Sequence, residues 1–137
     1  MKTLLLLPLC LCLIACAPPG VPIADLLPVQ EELANQAGTA YPSELLLGAM
    51  DRAHPTPAQR AEIARRRCGM AWAMRGAPAA LLECRAAARM GAQVGGKAQH
   101  RGMLRLALVL ADAGEGREAL QLAQGLRKWS ARSAQPG

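Results

Sequence analysis

The chain has 137 residues, a length suited to one small domain. Phenylalanine is absent and only Tyr41, Trp72 and Trp129 are aromatic; sheets draw on aromatic and β-branched side chains, whereas helices favour Ala, Leu, Arg and Glu, so the composition excludes a mainly β fold and predicts an all-α one. Charge is split along the chain: one base against five acids from Ala17 to Thr56, then fourteen Lys or Arg against five acids from Pro57 onward.

The basic part is mostly arginine, a side chain that suits carboxylate and phosphate partners. It offers a surface for anionic lipid or an acidic protein, or simply the solvated face of arginine-rich helices.

Met1 to Cys16 reads MKTLLLLPLCLCLIAC: a lysine, an apolar run from Leu4 to Ile14, then small residues, the plan of a secretory signal. The run falls short of the roughly 20 apolar residues of a membrane span. Leu13-Ile14-Ala15-Cys16 resembles the lipobox of bacterial lipoproteins. The resemblance implies cleavage between Ala15 and Cys16, a signal peptide at 1–15, and acyl chains on Cys16. Several chains on one residue anchor stably, where a single chain binds only marginally. By the same resemblance, Ala17 in place of an aspartate implies the outer membrane, with the protein facing the periplasm. Nucleic acid is not an expected partner of an exported chain.

Residues 16–22 form the lipidated tether, whose APPGVP run suits neither helix nor strand. Short N-terminal helices are predicted over 23–55. The first runs from Pro28 to Gln36, because proline is tolerated near a helix start; the second runs from Pro42 to about Ala53 and carries Leu45, Leu46, Leu47 and Met50.

Thr56, Pro57 and Gln59 form a capping-box signature opening a longer helix. That helix places Ile63, Cys68, Ala71 and Trp72 on or near one stripe, flanked by Arg60 and Arg65 to Arg67. Gly76 makes the bend, and Pro78 starts a return helix with Leu81, Leu82, Cys84, Ala88 and Met90. The first hairpin thus spans 56–91. Gly91, Gly95 and Gly96 are expected to form a flexible joint. A second hairpin spans 97–132, turning at Gly114-Glu115-Gly116, and 133–137 is a tail, with fraying expected from Arg132.

A shift of 38 residues lays Cys68 on Leu106, Gly69 on Ala107, Trp72 on Leu110, Gly76 on Gly114 and Leu81 on Ala119. The pattern resembles the tetratricopeptide repeat, a helix–turn–helix unit of about 34 residues. Leu81 departs from it, since the family prefers a small residue there. The longer period departs too, with the surplus expected in Val94 to Lys97. Two units are fewer than such an array usually needs, so the resemblance implies that the short helices before Thr56 cap it. Two architectures stay open, both antiparallel helical hairpins: a tetratricopeptide-like stack, or a small helix bundle unrelated to that family.

Cys10 and Cys12 fall within the signal. Cys68 and Cys84 lie eight residues on either side of Gly76, level with each other in an antiparallel pair. With Cys16 acylated, they form an even pair in an oxidising compartment, and a structural disulfide follows. A redox or metal role would need a Cys-x-x-Cys pair or histidine partners, and His54 and His100 have no spaced partner. No metal, cofactor or catalytic constellation is therefore expected, and the protein is not read as an enzyme. Glu31, Glu32 and Glu83 read as solvated helix faces, Trp72 as core, and Trp129 as a candidate contact residue on a basic helix.

The expected function is protein binding by a membrane-anchored envelope lipoprotein, with Arg65, Arg66, Arg101 and Arg105 on the binding surface. In size, anchor, helicity and disulfide the chain resembles pilotins, small lipoproteins that deliver secretin subunits of secretion and pilus systems to the outer membrane. That resemblance implies a secretin subunit as partner, although no diagnostic pilotin motif is present. The alternative is a structural or exclusion lipoprotein whose basic face meets anionic envelope components.

Overall fold

Helices account for nearly every described position of the computed structural model, which describes residues 21–36 and 40–134. Six helices follow in order among these residues: α1 (Ile23–Asn35), α2 (Ala40–Arg52), α3 (Pro57–Arg75), α4 (Ala77–Val94), α5 (Gly96–Asp112) and α6 (Gly116–Ser133). The all-α expectation holds, and the architecture is one of packed helical hairpins. The chain divides into two units, one ending at Gln59 and the other beginning at Arg60. The acylation expected at Cys16 lies outside the described residues.

In the first unit α1 pairs with α2. Helix α1 starts at Ile23, five residues ahead of the expected start at Pro28, and Pro28 lies inside it. In its second turn, proline gives up only the bond to the Ala24 carbonyl. The buried Ile23 and the Asp25 N–H donating to Pro22 O secure the turn before it. Between the helices, buried Gln30 donates from Nε2 to Ser43 Oγ at 2.8 Å, and Ser43 Oγ donates to the Gln30 carbonyl at 3.4 Å. Leu46, Leu47, Ala49 and Met50 are buried along α2.

Helix α3 opens with the expected capping box. The Gln59 N–H donates to Thr56 Oγ1 at 3.2 Å, and the Thr56 N–H donates to Gln59 Oε1 at 3.0 Å. Its buried residues do not keep to one stripe. Ile63 is buried yet lies outside the cluster that holds Cys68 and Ala71. Five residues turn an α-helix by about 140°, so α3 buries two faces instead of the single one expected.

The second unit's core gathers Cys68, Ala71, Ala77, Ala80, Cys84, Ala87, Ala88, Leu106, Val109, Leu110 and Ala119. Alanines dominate it because the helices approach closely. Gly76 and Gly114 turn the two hairpins with φ of 83° and 85°, a region that favours glycine, and so occupy equivalent places in the 38-residue offset. The expected joint narrows to Gly95 and Gly96, which turn the chain with φ of 80° and 54°. Gly91 is a buried residue of α4, and only Gly95 separates α4 from α5. A Cβ on Gly91 would stand 2.6 Å from the Ala98 carbonyl oxygen, so that glycine serves helix contact, not bending. Helix α6 likewise keeps Arg132 within its last turn, past the expected fraying point.

Candidate functional site

Cys68 and Cys84 are disulfide-bonded, with Sγ atoms 2.05 Å apart and Cα atoms 4.6 Å apart. Both are fully buried, so the bridge staples α3 to α4 inside the core. For a separation of 16 residues, the chain-entropy model gives such a staple about 3 kcal/mol. Arg75 reaches across the same turn to Glu83, so Glu83 is an ion-pair partner and not the solvated residue expected.

Polar contacts also tie one hairpin to the other. Trp72, half-buried at the edge of the core where a core position was expected, donates its indole N–H to Asp112 Oδ2 at 2.7 Å, joining α3 to α5. Arg85 donates from both terminal guanidinium nitrogens, Nη1 and Nη2, to the two carboxylate oxygens of Glu118, joining α4 to α6. These are side-chain links between the hairpins, and the helices packed against each other across them are α4 and α5.

The four arginines expected on a binding surface are not equivalent. Glu62 holds Arg65 through both carboxylate oxygens, at 2.6 and 2.8 Å, and holds Arg66 Nε at 2.9 Å. These are the i,i+3 and i,i+4 pairs that the spacing Glu62, Arg65, Arg66 permits. Burial would raise the Glu62 carboxyl, but hydrogen bonds and charge from Arg65 and Arg66 outweigh it and hold the group below the usual carboxylate range.

Arg105 is the exception. Its guanidinium lies over Gly69 of α3, where a Cβ would stand 2.9 Å from Nη1. Burial pushes its pKa down, the neighbouring charge of Arg65 pushes it further, and Glu62 opposes both. Among the described residues no carboxylate or carbonyl hydrogen-bonds to it. A half-buried guanidinium without a hydrogen-bonded acid is costly in a folded chain and is the arrangement an incoming carboxylate would complete.

Beside Arg105 runs an exposed stripe of α5. Lys97, Arg101, Leu104 and Leu108 follow at helical spacing of four, three and four residues. Leu104 and Leu108 are 44% and 50% exposed. Arg101, four residues before Arg105, is exposed on the same side. The site is thus a cationic face with two leucines at its centre, built by α3 and α5. The sequence pattern pointed to its arginines but did not single out Leu104 and Leu108, since nothing in the local spacing separates them from Leu106 and Leu110, which are buried.

No group of three His, Cys, Asp or Glu able to hold a metal exists among the described residues. No described helix is long and apolar enough to cross a membrane. No family model, curated protein or solved structure matches the chain.

Proposed function

We propose that this protein is an acylated envelope lipoprotein whose α3–α5 face binds an acidic, amphipathic segment of an envelope protein. The observation that carries this reading is Arg105, half-buried without a hydrogen-bonded acid beside the exposed Leu104 and Leu108. An amphipathic helix laid on such a face would put leucines against leucines and a carboxylate on Arg105. The lipobox-like Cys16 and the disulfide between Cys68 and Cys84 support the envelope assignment, since bridges persist in oxidising compartments. In its finer form the partner is a secretin subunit and the protein acts as a pilotin at the outer membrane. Crosslinking in cells, followed by mass spectrometry of what copurifies, tests both levels. The expected result is one ring-forming channel subunit, mislocalised in Cys16→Ala cells. Recovery of only lipid, peptidoglycan or abundant lipoproteins would favour the structural reading instead.

A further inference from the structure

A second feature lies between the first half of α5 and the last half of α6. It is an open cavity of about 150 Å³ whose lining includes His100, Met103, Gly125, Leu126, Trp129 and Arg132. Pockets for drug-sized ligands and cofactors run from about 300 Å³ upward, whereas a cavity of about 150 Å³ accepts a single benzene ring. The volume therefore selects one side chain. Met103, Leu126 and Trp129 supply apolar wall, and the His100 ring stands 4.8 Å from that of Trp129. His100 Nδ1 is buried with no hydrogen-bond partner.

Charge selects what flanks that side chain. No Asp or Glu occurs from Gly96 to Ala111, nor from Ala119 to the end of the chain. The acids of this hairpin, Asp112, Glu115 and Glu118, all cluster at its turn. Arg132 lines the cavity, while Arg127 and Lys128 sit on the same stretch of α6.

We infer that this cavity is a socket for one aromatic side chain of an acidic peptide segment. The ring packs on Trp129 and Met103, and a neighbouring carboxylate meets Arg132. The socket belongs to α5 and α6 and does not depend on the α3–α5 face.

The full-length protein with ¹⁵N-labelled indoles gives two N–H signals, from Trp72 and Trp129. The probe is a blocked acidic pentapeptide with phenylalanine at its centre. It should move the Trp129 signal and leave that of Trp72 in place. The same peptide with central alanine should need at least tenfold more material. Gly125→Leu should abolish the response, since a Cβ there meets nothing within 4 Å and a longer side chain grows into open space. Arg132→Ser, an independent change near the helix end, should weaken the response about tenfold. Arg65→Gln, which belongs to the other face, should leave it unchanged. The inference is overturned if millimolar peptide leaves Trp129 unmoved, if the alanine peptide works equally well, or if Gly125→Leu responds like the parent. It is also overturned if only anionic vesicles move the signal.

Discussion

The guanidinium of Arg105 rests on the bare backbone of Gly69, joining α5 to α3 where a methyl group on Gly69 would stand 2.9 Å from Nη1. The obstacle such a methyl meets is the far end of a flexible side chain, so relief needs only that Arg105 swing away. Alanine inside a helix is also favoured over glycine by about 0.5–1 kcal/mol. Gly69→Ala is therefore expected to keep or raise thermal stability while weakening partner binding several-fold. Denaturation curves and partner capture measured on one preparation check this, and a loss of stability would refute the arrangement.

Gly91 and Gly125 make an opposed pair. At Gly91 a Cβ meets the Ala98 backbone at 2.6 Å, and backbone cannot swing aside. Gly91→Ala should destabilise by about 1–3 kcal/mol through forced separation of α4 and α5. At Gly125 a Cβ meets nothing within 4 Å, and Gly125→Ala should stabilise by about 0.5–1 kcal/mol. Urea midpoints of the two variants should move in opposite directions.

Removing the staple by Cys68→Ala with Cys84→Ala should cost about 3 kcal/mol, measured as a lower denaturation midpoint. Reductant should lower the midpoint of the parent and leave that of the double variant unmoved.

Glu62 supplies a pH dependence with a definite sign. Its folded pKa lies below the ordinary 4.5, so its contribution to stability is complete above that value and is lost as pH falls through the folded value. Glu62→Gln should flatten the acid limb of the stability curve in that window. At neutral pH it should also leave Arg65, Arg66 and Arg105 without that carboxylate, lowering stability.

Much of the fold was legible in the residues. The hairpin turn and the bridge followed from Cys68 and Cys84 lying equally far from Gly76, because antiparallel helices bring equidistant positions level. The capping box at Thr56 was local chemistry and appeared as read. What escaped depended on neighbours distant in the chain. Pro28 looked like a helix start because nothing local reveals that Ile23 is buried. Gly91 looked like a joint because a glycine that bends and a glycine that packs are the same letter; only the approach of Ala98 separates them. Leu104 and Leu108 were not singled out because they alternate with Leu106 and Leu110, and only the packing shows that the latter pair is buried and the former exposed. The difference among the arginines was partly visible: Glu62 stands three and four residues before Arg65 and Arg66, a signal that two of the four were already paired. That Arg105 would settle on Gly69 required the packing of α5 against α3.

The proposed acidic partner meets the α3–α5 face through Arg105 and its two leucines. Site-specific photocrosslinking in cells tests it most directly, with the photoreactive group placed in turn at Leu104, Leu108 and, as a control, the exposed Leu120 of α6. The expected result is one discrete protein adduct from Leu104 and Leu108, a much weaker one from Leu120, and loss of the adduct when Arg101→Glu and Arg105→Glu are combined. Equal adducts from all three positions, or adducts that survive charge reversal, would contradict it.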